Sequence, residues 1–210
     1  MTAFDAAFRE QLCELIRWRR DVRHFRRDPL PSGTLEHLLE LASLAPSVGL
    51  SQPWRFVLVD DAARRAAVRD NFRRANAEAL GAYAGEKAER YAKLKLAGLE
   101  EAPLQLAVFA DRGTEQGHGL GRRTMPEMAE YSAVMAIHTL WLVARAEGLG
   151  LGWVSILEPA EMSRILETPP VWIFLGYFCL GYPQRADVRP ELEREGWERR
   201  RGWESSLLRR

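Results

Sequence analysis

Cysteine and lysine are the scarce residues of this 210-residue chain. The two cysteines, Cys13 and Cys179, stand far apart, which excludes a disulfide scaffold and a cysteine-based zinc site. The four histidines, His24, His37, His118 and His138, show no ligand spacing, so no metal site is expected. An excess of one charge is also missing. Thirty Lys and Arg face twenty-nine Asp and Glu, a formal net charge of +1, so no global field draws the chain to nucleic acid or to an anionic membrane. Residues 1–9 hold no apolar segment, and the sequence accordingly predicts no secretory signal and a cytoplasmic protein. The longest apolar helical stretch, Ala133 to Ala144, is too short to span a bilayer. Walker phosphate loops, Gly-x-Ser-x-Gly elbows and repeats of 20–50 residues are absent.

A composition of 47% hydrophobic and 28% charged residues is that of a globular chain, and the length predicts one domain over residues 1–210. Lysine occurs only at Lys87, Lys93 and Lys95; every other cation is arginine, whose planar fork suits phosphate and carboxylate. Phe8, Leu12, Leu15 and Ile16 recur at helical spacing and predict an amphipathic helix ending near Trp18. A second helix is predicted over 34–44, stopped by Pro46, then a strand over 54–59. Residues 62–99 read as a helix pair broken near 81–85, and 104–110 as a second strand. The glycine-rich stretch 112–125 reads as a mobile loop. A central buried helix follows from Pro126 to Glu147, with His138 as a core histidine. Strands are predicted over 153–157 and 171–180, and a charged tail begins at Pro183. The order of elements gives an α+β plan with helices around a mixed sheet.

Four clusters can carry chemistry. Arg17, Arg19, Arg20 and Arg23 crowd within seven residues at a helix end and can cradle a phosphate. Cations that complement a helix C-terminus are a sufficient explanation of the cluster taken alone, and Asp21 among them can simply pair with a neighbour. Two prolines bracket Ser47 and Ser51 in a rigid turn ahead of a strand; this is either a ligand-facing turn or a plain connector. The glycines at 148, 150 and 152 follow a helix and precede a strand, the reverse of a dinucleotide fingerprint. They leave a close backbone approach to something flat, with Ser155 pointing from the strand. Residues 196–201 add cations that otherwise form a solvated face.

In their order and spacing, Arg19-Arg20-Asp21-Val22-Arg23, Ala45-Pro46-Ser47 with Gln52-Pro53-Trp54, Gly150-Leu151-Gly152-Trp153-Val154-Ser155 and Arg200 resemble the FMN-dependent nitroreductase family over residues 8–203. Ordinary members carry Ser where this chain has Asp21. Together with Ala75-Asn76, Gly85-Glu86, Tyr91, Leu94-Lys95-Leu96, Ala102-Pro103-Leu104 and Ala144 to Gly148, that change is similar to the branch of the family that destroys its flavin. The resemblance implies a nitroreductase-like fold with a central mixed or antiparallel sheet, in an arm-exchanged homodimer whose C-terminal extension, about 183–210, packs on the partner. It implies that reduced FMN is a substrate, cut with O2 into 5,6-dimethylbenzimidazole, the lower ligand of cobalamin, and erythrose 4-phosphate. A separate flavin reductase would then supply the reduced FMN. The implied flavin contacts are Arg19, Arg20, Asp21, Val22, Arg23, Pro46, Ser47, Ser51, Leu104, Gly152, Trp153, Ser155 and Arg200, with Asp21 and Ser155 tied to fragmentation. The rival readings are an NAD(P)H-dependent nitroreductase or quinone reductase that reuses its flavin, and a flavin carrier.

Overall fold

A computed structural model describes residues 3–94 and 97–210. Lys95 and Leu96, part of one sequence match above, lie outside the described residues. In chain order the elements are α1 (Ala6–Trp18), α2 (Thr34–Ala42), β1 (Trp54–Leu58), α3 (Ala62–Gly81), α4 (Glu86–Lys93), α5 (Gly98–Glu101), β2 (Leu104–Asp111), α6 (Met128–Ala146), β3 (Gly150–Val154), α7 (Pro159–Ile165), β4 (Trp172–Gly181) and α8 (Glu191–Arg194).

The four strands pair antiparallel in the order β1-β2-β4-β3. Alternation along the strands sends Ala107, Phe109, Val154, Tyr177 and Cys179 to one face, against Val68 of α3 and Met162 of α7. Leu106, Val108, Leu151, Phe178 and Leu180 take the other, against Leu38 and Ala42 of α2 and Ile137, Leu140 and Ala144 of α6. With apolar side chains on both faces, the sheet is buried between two helical layers.

β3 is an edge strand, and unpaired edges invite wrong partners. Residues 21–25 cover it. Val22 N donates to Leu151 O at 3.1 Å in a parallel bridge, the only parallel contact of the sheet among the described residues. Further along, Arg26 N donates to Tyr182 O and Gln184 N to His24 O, which clamps the start of the tail to the same segment. The arginine-rich stretch is thereby fixed to the sheet.

Several boundaries differ from the sequence expectation. α2 stops at Ala42, because successive tight turns at Ser43, Leu44 and Ala45 lead into Pro46, which disfavours helix in the residue before it. β3 starts at Gly150 rather than Trp153. Its glycines do make a close approach, but to the chain itself: a Cβ on Gly152 would lie 2.1 Å from Val22 O. Ser155 lies just past the strand and is exposed. α6 begins at Met128 and is buried on one face only; His138 is exposed rather than in the core, beside exposed Tyr131 and Met135. Residues 112–125 are irregular, yet pinned: Gln116 Nε2 donates to Leu50 O at 2.7 Å, and Gly117 packs against Gly49 O.

α1 has no buried residue, and Phe4, Phe8, Leu12 and Ile16 are all exposed. Its Cys13 is exposed, while Cys179 on β4, paired with Gly152, is buried and its thiol is pushed far up by that burial. The tail crosses its own chain first. Trp197 packs edge-on to Tyr83 at 5.4 Å and lies 6.1 Å from Tyr91, and Arg90 donates to Gly196 O. Only beyond this point are Trp203, Leu207 and Leu208 left exposed.

Candidate active site

The site is built where α1 ends. Arg19 leaves the helix in an extended conformation (φ −65°, ψ 122°), and the next four residues run along β3. The Arg19 guanidinium lies over the Trp141 ring, 4.8 Å from its centroid, and Trp141 Nε1 donates to Arg20 O at 3.0 Å. Arg20 is a staple. Its Nε donates to Val188 O at 2.7 Å, and its terminal nitrogens bond Arg17 O, Arg19 O and Val188 O. Those contacts cap two of the orphan carbonyls that a helix end leaves and hold the tail against the cluster.

Arg200 arrives from the tail. A recess of about 130 Å³ is lined by Arg19, Arg20, Asp21, Arg23, Pro190, Glu191, Leu192 and Arg200. Burial, then the charge of Arg200, holds the Arg19 guanidinium below its usual value, opposed by Asp21. Arg20 is lowered by burial first and then by Arg200 and Arg19. Three cations that disfavour one another around a recess are the electrostatic signature of an anion site.

Asp21 occupies the wall between this recess and a cleft of about 440 Å³ that both Asp21 and Arg23 also line, together with His24, Gln184, Arg189 and Arg194. Its Oδ1 accepts from Trp153 N at 2.9 Å. Its Oδ2 lies 3.6 Å from Arg23 Nε, whose side chain is only 11% exposed. The Asp21 side chain keeps 36% of its surface open, and it lines both the recess and the cleft. Desolvation pushes its carboxyl above the usual carboxylate range; the Trp153 N–H and Arg23 oppose the shift, and Glu191 adds to it. One oxygen is thus held by a main-chain N–H and the other lies beside the Arg23 guanidinium, on a carboxylate whose neutral form burial favours.

The turn of Pro46, Ser47 and Ser51 forms a second cluster, apart from the first. Ser47 Oγ accepts from Gln52 N at 3.1 Å, and Val48 N donates to Ser132 Oγ at 3.0 Å. Leu50 (φ 55°) and Gln52 (φ 42°) are both left-handed, a costly conformation held by the Gln116 contacts. Ser51 is buried and its Oγ has no partner. Ser132 and Trp141 both belong to α6, nine residues and about 14 Å apart along its axis, so one helix carries both clusters.

Of the residues named from the sequence, Arg19, Arg20, Asp21, Val22, Arg23 and Arg200 line these clefts, and Gly152 and Trp153 touch them from behind. Pro46, Ser47 and Ser51 sit at the other cluster. Leu104 pairs with Leu180 within the sheet, and exposed Ser155 has no hydrogen bond; neither lines the clefts. Trp141 and Glu191 were missed. Glu191 carries no motif, and Trp141 stands in an apolar stretch whose spacing signals only core.

Among the described residues, no cluster of three or more His, Cys, Asp and Glu is placed to hold a metal, and no helix is long and apolar enough to cross a membrane. The recess, its mutually opposed guanidiniums and the unpartnered Ser51 hydroxyl fit a phosphate-bearing ligand with polar edges, as FMN is.

Known proteins share this architecture. The chain is 58% identical over 198 residues to a 5,6-dimethylbenzimidazole synthase of Rhodospirillum rubrum, covering 94% of each chain. It is 52% identical over 195 residues to one of Rhodobacter capsulatus, covering 93% of this chain and 94% of that one. A crystal structure of iodotyrosine deiodinase bound to FMN and 3-iodo-L-tyrosine superposes with a TM-score of 0.71 at 25% identity, over 84% of this chain and 91% of the other. A putative nitroreductase from Exiguobacterium sibiricum, in complex with FMN, shares the fold with a TM-score of 0.70 at 16% identity, over 100% and 99%. The model of the nitroreductase family matches residues 16–182, most of the chain, and the chain belongs to that family.

Proposed function

We propose that this chain fragments reduced FMN in the presence of O2 and releases 5,6-dimethylbenzimidazole. The observation that carries the proposal is Asp21: a carboxylate anchored by the Trp153 N–H, raised above its usual range, amid arginines that suit a phosphate. The identities of 58% and 52% to proteins named 5,6-dimethylbenzimidazole synthase support the same reaction.

When bound, reduced flavin supplies the electrons for O2 reduction and the carbon skeleton of the product. The chain supplies the rest. Arg19 and Arg200 hold the phosphate by charge-assisted hydrogen bonds, while Arg20 is committed to backbone carbonyls and fixes the geometry of the other two. Asp21 Oδ2 takes a proton from the sugar chain; Oδ1 stays on Trp153 N and keeps the carboxylate from rotating. Ser155, the second residue that the resemblance ties to fragmentation, lies just past β3 and would meet the flavin from outside the two clefts.

The pocket is completed in a homodimer, with Pro46, Ser47 and Ser51 of one protomer facing Arg19 of its partner. This part is supported by the apolar row of Phe8, Leu12 and Ile16 on α1, with Phe4 stacked on Phe8 ahead of it, and by Tyr131 and Met135 on α6, all exposed in a single chain. Trp203, Leu207 and Leu208 of the tail are exposed as well. The reduced flavin comes from a separate reductase.

The test is aerobic incubation of the purified protein with chemically reduced FMN, followed by mass spectrometry for 5,6-dimethylbenzimidazole. Release of the benzimidazole is expected. Steady NAD(P)H oxidation by a permanently yellow protein, with no benzimidazole, would replace this reading with that of a flavin-recycling reductase.

A further inference from the structure

We infer that Trp141 is the positioning residue of the phosphate handle: it sets the two consecutive arginines of the Arg-Arg-Asp segment and thereby gives the site its preference for a phosphorylated flavin. The inference rests on the flavin reading above and assigns the specificity of that site to a residue outside its motifs.

Trp141 does two different things to two neighbouring residues. Its indole N–H donates to the Arg20 carbonyl at 3.0 Å, which fixes the main chain where it leaves α1. Its ring face lies beneath the Arg19 guanidinium at 4.8 Å, close enough for a cation–π contact. Arg19 needs such a support. Its charge is disfavoured by burial and by Arg200, and among the described residues no carboxylate forms a salt bridge with it. An aromatic face holds a guanidinium without engaging its N–H edges, so the donors stay free for an incoming anion. A carboxylate in the same place would hold Arg19 equally well but would occupy those donors and repel the ligand.

The ring is itself held. Trp141 packs against Trp153 at 6.2 Å, and Trp153 lies 5.0 Å from Phe178 in the sheet. The same Trp153 donates its backbone N–H to Asp21. One pair of tilted tryptophans therefore meets both the anion-binding arginine, through the Trp141 ring, and the carboxylate, through the Trp153 backbone N–H.

Riboflavin lacks the phosphate that Arg19 would meet, so it separates positioning from mere packing. The experiment is an anaerobic calorimetric titration of the intact protein with reduced FMN and with reduced riboflavin, for the wild type, Trp141→Leu and Trp141→Phe. The wild type should bind FMN at least tenfold more tightly than riboflavin. Trp141→Leu should lose about tenfold in FMN affinity, a change of about 1.4 kcal/mol, with riboflavin affinity unchanged within twofold. Trp141→Phe, which keeps the ring but not the N–H, should fall between the two. Equal weakening of both flavins, or an unchanged FMN preference in Trp141→Leu, overturns the inference and makes Trp141 a packing residue. A wild type that does not distinguish the two flavins instead overturns the assignment of the recess to phosphate, and with it the reading on which the inference stands.

Discussion

Replacing Asp21 by Asn changes one oxygen for an NH2 group, and the structure separates what that change keeps from what it removes. Asn retains an oxygen at Oδ1, so the 2.9 Å bond from Trp153 N can persist. The position of Oδ2, 3.6 Å from Arg23 Nε, becomes an amide nitrogen with no capacity to accept a proton. Because burial already disfavours the charged carboxylate, neutralising it should change folding stability by no more than about 1 kcal/mol. Arg19, Arg20 and Arg200 are untouched, and a negative charge beside a phosphate is gone; affinity for reduced FMN should hold or improve. Only the proton transfer is lost. A positioned base contributes roughly 10²- to 10⁴-fold, equivalent to about 3–5 kcal/mol of barrier. Single-turnover mixing of anaerobically reduced FMN with oxygenated buffer, with the benzimidazole quantified by mass spectrometry, should show a loss of that size. Product formation by Asp21→Asn at the wild-type rate would refute the base assignment. A collapse of flavin affinity together with product would make Asp21 a binding group instead.

The acid limb of the pH–rate profile should report Asp21. Activity rises with pH through an apparent pKa above the ordinary aspartate value of 3.8, because burial favours the neutral acid. The same shift has a sign in stability. A folded-state pKa above the unfolded one gives stabilisation that is fully present below the unfolded value and lost as pH rises through the folded value. Asp21→Asn should lack that decline when Tm is followed against pH. Gly152→Ala places a Cβ 2.1 Å from Val22 O, a clash of backbone with strand that should cost about 1–3 kcal/mol or more; Gly81→Ala, with nothing within 4 Å, should be neutral or stabilising by about 0.5 kcal/mol. The 23.9 kDa chain should elute at about twice that mass, and Ile16→Asp should return it to monomer and weaken flavin binding, as size-exclusion chromatography and titration would show.

What the sequence makes legible is local. Phe8, Leu12 and Ile16 announce α1 by spacing, and the prolines at 46 and 53 announce the turn, because both signals act within a few residues. The start of β3 is not local. Gly150 and Gly152 look like punctuation after a helix, but a Cβ at either would strike Val22, which comes from far earlier in the chain and runs alongside the strand at that point. Arg20 shows the same limit: as one more arginine in a cluster it reads as a ligand contact, whereas its guanidinium is taken up by Val188 O, 168 residues away. His138 failed for a different reason. A helix apolar on nearly all sides does not reveal which side the sheet will choose. Asp21 was legible as an oddity, a carboxylate among arginines; its raised pKa was not, since that comes from protein closing over it.

The two thiols stand at opposite extremes of reactivity. Cys179, sealed within β4 opposite Gly152, stays protonated because burial and the nearby Asp21 charge both oppose the thiolate. It is therefore out of reach of alkylating agents. Cys13 sits on the apolar helix with its sulfur open. A maleimide dye added to the unaltered protein should mark α1 alone, without any engineered label, and the dimer proposed above predicts slower labelling as the protein concentration rises.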